Sequence, residues 1–191
     1  MKKVLTLYSS SRANGNTFQL VNTFNQLVPD EVCYLDDLNI AEYDYQHRNQ
    51  DDDFLTVVDR MVNADVIILA SPVYWYSMTP TLRRFFDRFT DLIELPLLKP
   101  KSKQLREKHF YLFATSVRPS PPNSFVAPVK NTLDYLGWQF SGTVHINCKE
   151  GFEHTKAMRS LTPLAQFLKG ESHPAYKSAM GEQARSLFRF K

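Results

Sequence analysis

The stretch Ala64–Arg88, ADVIILASPVYWYSMTPTLRRFFDR, decides how the rest of the chain is read. Val66–Ala70 is a short, unbroken apolar run, the pattern of a strand buried on both faces of a parallel sheet. Ser71-Pro72 is expected to end it, because proline cannot continue a central ladder. Thr79 reads as a helix N-cap with Pro80 at the first helical position. Leu82, Phe85, Phe86, Phe89, Leu92 and Ile93 follow at helical spacing, which predicts a helix with one face on the sheet. Between strand and helix, Val73-Tyr74-Trp75-Tyr76 sets four bulky residues where a loop is normally polar. Loops after the strands of an open α/β sheet line the ligand crevice. A flat aromatic ligand edged by backbone N–H groups explains this turn; aromatics that cap the core or form a dimer contact explain it equally well.

Outward from this stretch, 191 residues with 43% hydrophobic and 23% charged content fit one α/β domain with a full core. The domain is expected to span 1–191, with 170–191 as a C-terminal extension. A net charge of +3 argues against a dedicated nucleic-acid binder. No apolar run reaches membrane-spanning length, so no membrane partner is expected. Met1-Lys2-Lys3 leads straight into a strand-like run without a secretory leader. Cys33 and Cys148 are too few and scattered for a disulfide framework or zinc site, and read as free thiols in a reducing cytoplasm.

Lys3–Tyr8 reads as the first strand, followed by Ser9-Ser10-Ser11-Arg12-Ala13-Asn14-Gly15-Asn16-Thr17 and a helix presenting Leu20, Val21, Phe24, Leu27 and Val28. Such a loop at a helix start suits an anion: free N–H groups, the helix dipole, hydroxyls and Arg12 all favour phosphate. It is neither a Walker A loop nor a G-x-G-x-x-G loop, and a plain turn capped by Asn16 or Thr17 is the competing reading. Glu31–Leu35 reads as the second strand, and Asp36–Asp53 as an exposed connection. Asp51-Asp52-Asp53 then opens a helix bearing Phe54, Val57, Val58, Met61 and Val62.

Glu94–Lys108, with Lys99, Lys101, Lys103, Arg106 and Lys108, reads as a solvated basic connection, with attraction of a phosphorylated cosubstrate as the minority reading. His109–Ala114 is the fourth strand, Thr115–Asn123 a proline-rich loop, and Phe125, Val126, Val129, Leu133 and Leu136 mark a helix stopped at Gly137. Trp138–Ile146 alternates as an edge strand, with His145 on its polar, solvent-facing side. Glu153–Leu168 is the last helix, and Phe188 and Phe190 are candidates to dock on the body or on a partner.

Five strands alternating with helices predict a doubly wound α/β fold, a parallel sheet of order 2-1-3-4-5 with helices on both faces. The loops Ser9–Thr17, Ser71–Thr79 and Thr115–Asn123 follow strands one, three and four, which are adjacent in that order. A ligand with a phosphate at one end and a flat ring at the other, such as FMN, spans them.

With these motifs the chain resembles the flavodoxin-like NAD(P)H-dependent FMN reductases, including quinone, azo-dye and chromate reductases, over about its first two-thirds. Ser9-Ser10-Ser11-Arg12-Ala13-Asn14-Gly15-Asn16-Thr17 is similar to that family's Gly-Ser-Pro-Arg-x-x-Gly-Asn-Thr loop, with Ser9 and Ser11 replacing Gly and Pro. Pro72-Val73-Tyr74-Trp75 and Leu82-Arg83-Arg84-Phe85-Phe86-Asp87-Arg88 are similar to its Pro-x-Tyr-Trp turn and Leu-Lys-x-Phe-x-Asp-Arg helix. Val117-Arg118-Pro119 departs from the glycines usual in the third loop. The resemblance implies FMN phosphate held by Ser10, Arg12, Asn16, Thr17 and the Phe18 backbone. It implies the ring edged by Pro72, Val73, Tyr74, Trp75 and Tyr76, with Thr115 and Ser116 below. It further implies NADPH or NADH as cosubstrate, a small-molecule acceptor (quinone, free flavin, azo or nitro compound), no required side-chain acid or base, and a homodimer. The alternative is a flavodoxin-type electron carrier; such carriers are usually acidic, whereas this chain has a pI near 8.8.

Overall fold

Alternate residues of a strand face opposite sides of a sheet, so a central strand that is apolar throughout needs cover on both sides. The computed structural model, which describes residues 2–170, shows that arrangement. Strands β1 (Val4–Tyr8), β2 (Glu31–Tyr34), β3 (Val66–Pro72), β4 (His109–Ser116) and β5 (Gln139–Asn147) pair in parallel in the order β2-β1-β3-β4-β5. On one face Val4, Val66, Ile68 and Phe113 pack against α1 (Asn16–Leu27) and α7 (His154–Leu168). On the other, Leu5, Leu7, Ile67, Leu69 and Leu112 pack against α2 (Phe54–Asn63), α3 (Pro80–Asp87), α4 (Phe89–Glu94), α5 (Lys99–Leu105) and α6 (Asn123–Leu136). The predicted sheet order and the flavodoxin-like architecture are therefore observed. Among the described residues no helix is long and apolar enough to cross a membrane. Phe188 and Phe190 lie outside the described residues.

Several local expectations are corrected. β3 runs on through Ser71 and Pro72, opposite Ala114 and Thr115 of β4. Val73 N–H donates to the Thr115 carbonyl at 3.0 Å, so the neighbouring Pro72 nitrogen points toward β1, whose pairing has already ended at Tyr8 opposite Ala70. The missing N–H therefore breaks no bond. Thr79 does precede α3, but its hydroxyl makes no capping bond and pairs with Ser9 Oγ at 2.5 Å. The Glu94–Lys108 connection contains a helix, α5, anchored by buried Leu105 and by Ser102, whose carbonyl accepts from buried Trp138 Nε1 at 3.1 Å. In β5 the register shifts opposite Phe110 and Tyr111, so Phe140 and Gly142 are paired and Ser141 is skipped. That bulge reverses the alternation. Trp138 and Phe140 face the α6 side, whereas Val144 and Ile146 face α1 and α7. His145 accordingly is half-buried rather than solvent-facing, with Nε2 2.8 Å from Ser116 Oγ.

The helix predicted after Thr79 is interrupted at Arg88, and the same residue organises the Asp36–Asp53 connection. Arg88 is 1% exposed, and a charge so deeply buried must be fully paired. Its Nε donates to Asp91 Oδ2 at 2.6 Å, Nη1 to Asp52 and to the Ala41 carbonyl, and Nη2 to the Asn49 carbonyl at 2.6 Å. The guanidinium lies over the Phe54 ring. Asp52 also accepts from the backbone N–H groups of Ala41 and Phe54, and Asp53 from that of Asn39. The acidic run thus pins the connection as well as opening α2.

His47 closes this network. Its Nδ1 is 2.7 Å from Asp91 Oδ1 and its Nε2 3.2 Å from Glu94 Oε2. The hydrogen bond to Asp91 holds the imidazole above its usual value near 6.5; desolvation opposes this, while the charges of Asp91 and Glu94 add to it. A folded value above the unfolded one stabilises fully below the unfolded value, and that stability is lost as pH rises through the folded value. The melting-temperature deficit of His47→Gln is therefore expected to be larger at about pH 6 than at about pH 9, where wild type and variant converge. A deficit independent of pH in thermal denaturation contradicts a charged role for His47.

Candidate active site

The C-terminal ends of β1, β3 and β4 open onto one cleft of about 560 Å³, within the usual size of a small-ligand site. Ser10, Arg12, Asn16, Thr17, Pro72, Val73, Tyr74, Trp75, Tyr76, Thr115 and Ser116 all line it. Phe18 does not; it packs partly buried against the cluster beneath α1. Asn14, Gly15, Val117, Arg118 and Cys148 complete the lining. Arg118 sits in a loop marked in the sequence mainly by the glycines it lacks. Cys148 follows β5, a strand end that carried no loop signal.

The first loop is held by side chains of the elements around it. Ser10 N–H donates to Asp36 Oδ2 at 2.8 Å, and Thr81 donates to the other Asp36 oxygen at 2.6 Å, tying the loop to α3. Tyr8 donates its hydroxyl to the Arg12 carbonyl at 3.0 Å; burial pushes this phenol above its ordinary value, so it stays a donor. Thr17 Oγ1 meets Thr115 Oγ1 at 2.7 Å, joining α1 to β4. Helix α1 begins after Gly15 with no side-chain cap and no acidic residue in its first turn. Helix N-termini expose N–H donors and a partial positive charge, which an anion satisfies. Among the described residues Arg12 has no carboxylate partner and stands exposed beside this helix start. This end of the cleft therefore offers backbone donors and a positive charge, the features that suit an anion.

The other end is a strained turn. Tyr74 and Ser77 exchange both backbone hydrogen bonds, at 2.8 and 2.9 Å, around Trp75 (φ 46°) and Tyr76 (φ 68°). Two central residues at positive φ make a type I′ turn, which favours Asn-Gly and penalises aromatics. Trp75 is 94% exposed, so burial does not offset the strain. Strain persisting at an exposed site points to function. Tyr74 is fixed by its hydroxyl, 2.7 Å from Ser11 Oγ, and Tyr76 by Arg118, whose guanidinium lies 4.6 Å from the ring centre and donates to the phenol. Among the described residues no cluster of His, Cys, Asp or Glu is placed to hold a metal.

A family model described as NADPH-dependent FMN reductase matches residues 2–152. The Bacillus subtilis (strain 168) protein YwqN, whose name describes an NAD(P)H-dependent FMN-containing oxidoreductase, is 25% identical over 153 residues, covering 74% of this chain and 83% of that protein. Among solved structures, the Trp repressor binding protein from Bacillus subtilis superposes with a TM-score of 0.67 at 20% identity, over 86% of this chain and 96% of that one. Two-electron reduced Megasphaera elsdenii flavodoxin superposes with a TM-score of 0.55 at 19% identity, over 85% and 97%.

The strain in the turn gives a direct stability test. A left-handed residue costs about 1–2 kcal/mol, and an exposed cation–π contact returns about 0.5–1 kcal/mol. Trp75→Asn/Tyr76→Gly, which supplies the favoured turn residues and gives up the Arg118 contact, should gain about 1 kcal/mol net. For a chain of this size that raises the melting temperature by about 2–4 °C. An unchanged or lower melting temperature in the ligand-free protein removes strain from the account.

Proposed function

The chain belongs to the NADPH-dependent FMN reductase family, and on that premise we propose that its cleft binds FMN with the phosphate at the start of α1 and the ring along the Pro72–Tyr76 turn. As a member of that family it is an NAD(P)H-dependent FMN oxidoreductase. Bound FMN supplies two-electron transfer between a nicotinamide donor and an acceptor.

The observation that carries the placement is the single cleft joining an uncapped helix start to a strained aromatic turn. In this reading Arg12 and the hydroxyls of Ser10 and Thr17 hold the phosphate, Asn16 and the Phe18 backbone add donors, and α1 contributes its dipole. Backbone groups of Pro72, Val73, Tyr74, Trp75 and Tyr76 edge the ring, and Thr115 and Ser116 lie below it. No side chain of the cleft is assigned as acid or base. The acceptor is a small planar molecule: a quinone, free flavin, azo or nitro compound. The open rim and exposed Trp75 suit stacking of such a molecule. The catalytic unit is one domain, working as a homodimer in the cytoplasm. Trp75 and Val117, exposed together at the mouth of the cleft, supply apolar surface for a two-fold contact, the commonest soluble assembly.

Steady-state oxidation of NADPH and NADH by the FMN-loaded protein, with a quinone acceptor, tests this function. Nucleotide oxidation dependent on both FMN and quinone is expected. FMN that binds without sustained turnover of either nucleotide assigns the protein to electron carriage instead. Light scattering on the same sample should give twice the 22.2 kDa of one chain; a monomer mass contradicts the dimer.

A further inference from the structure

We propose that Arg118 is a specificity-determining residue that selects anionic planar acceptors, with sulfonated or carboxylated quinones and aryl compounds as the substrate class. The inference rests on the reading of the cleft as the FMN site. Two guanidinium groups line that cleft and no Asp or Glu does. Arg12, at the α1 end, is matched by the phosphate. Arg118 stands at the opposite end, past Thr115 and Ser116, and nothing in the flavin reading neutralises it. Among the described residues it has no carboxylate partner.

Its position is fixed despite its exposure. The Arg118 backbone N–H donates to Ser116 Oγ at 3.1 Å, and the same oxygen is held 2.8 Å from His145 Nε2. The guanidinium is laid on the Tyr76 ring and spends one N–H on the Tyr76 hydroxyl. A guanidinium has five N–H groups, so donors remain for an oxyanion. His145 is not a competing cation at neutral pH, because burial, with the Lys156 charge adding, holds it below its usual value. Trp75 thus offers an exposed aromatic face at the rim on which a flat molecule stacks, and Arg118, seated on the neighbouring Tyr76 ring, adds to that rim a fixed positive charge. An uncharged rim accepts any flat acceptor; a fixed guanidinium prefers one whose substituent is a sulfonate or carboxylate.

The reaction entered by such an acceptor balances: NAD(P)H gives two electrons and one proton, solvent gives a second proton, the quinone leaves as hydroquinone and the donor as NAD(P)+. The dinucleotide pyrophosphate carries similar anionic chemistry, so the test separates donor from acceptor. With the FMN-loaded protein and saturating NADPH, kcat/KM is measured for a neutral naphthoquinone and for the same naphthoquinone bearing one sulfonate. The sulfonated-to-neutral ratio should fall about tenfold in Arg118→Gln, mainly through KM, with part of the loss regained in Arg118→Lys. In the wild type, raising salt from about 0.02 to about 0.5 M should weaken only the sulfonated acceptor, severalfold. A ratio unchanged across the three proteins, or equal salt responses for the two acceptors, overturns the proposal. So does an Arg118→Gln effect confined to the KM for NADPH, which would assign the residue to the donor. If neither quinone is reduced with either nucleotide, the FMN-reductase reading of the cleft falls and this inference falls with it.

Discussion

Five residue pairs join β1 to β3, from Val4 opposite Val66 to Tyr8 opposite Ala70, and both halves of the cleft hang from that pairing. Ser9 N–H closes the ladder on the Ala70 carbonyl at 3.0 Å, after which the two chains separate. The chain leaving β1 enters α1 on one face of the sheet, whereas the chain leaving β3 enters α3 on the other. A crevice forms wherever neighbouring parallel strands send their connections to opposite faces. Buried hydroxyls tie the two strand ends to the start of α3: Ser9 Oγ meets Thr79 Oγ1, and Ser71 Oγ accepts from Thr79 N–H at 3.1 Å. Each is nearly inaccessible to water, so loss of one partner leaves a buried polar group unpaired, at about 1–3 kcal/mol.

Packing around this crevice is rigid on one side and frugal on the other. The α2–α6 face stacks Phe110 on Trp138 at 5.2 Å and continues through Phe89 to Phe85. It ends on the Arg88 network, which supplies the charge pairing that a buried guanidinium demands. The cleft rim has no comparable core. Its aromatic turn is kept in a disfavoured conformation by three outside contacts: Ser11 on Tyr74, Arg118 on Tyr76, and Ser124 Oγ donating to the Tyr76 carbonyl at 3.4 Å. An exposed, strained turn held by neighbouring loops couples the first and third loops to the aromatic one, so a ligand bound at either end meets a pre-set surface.

Strand order and cleft were legible because their signals are local and repeated: unbroken apolar runs for Val66–Ala70 and Phe110–Ala114 and a run broken only by Thr6 for Val4–Tyr8, each followed by a polar or aromatic loop. What escaped the sequence depends on neighbours. Pro72 remains in β3 because β1 has already stopped beside it, a fact no window around Pro72 contains. The bulge at Ser141 turns Val144 and Ile146 to the face opposite Trp138 and Phe140, although the four keep one alternating parity in sequence. Helix α5 is nearly all lysine, glutamine and serine between Leu98 and Leu105, too short for a periodic signal, and is defined by packing on α2 and α4. Arg88 reads as the polar side of a helix until Asp52, thirty-six residues earlier in the chain, appears beside it. Arg118 and Cys148 joined the cleft through β4 and β5 geometry alone.

The phosphate end of the cleft requires an anion seated at the uncapped start of α1. Equilibrium titration of the ligand-free protein with FMN and with riboflavin, which share a ring and differ in the phosphate, measures that seat directly. Charge-assisted bonds to phosphate contribute on the order of 1.5–3 kcal/mol each, so FMN should bind at least about tenfold more tightly than riboflavin. Equal affinities would place the phosphate in solvent and contradict the assignment of Ser10, Arg12, Asn16 and Thr17 to the cofactor.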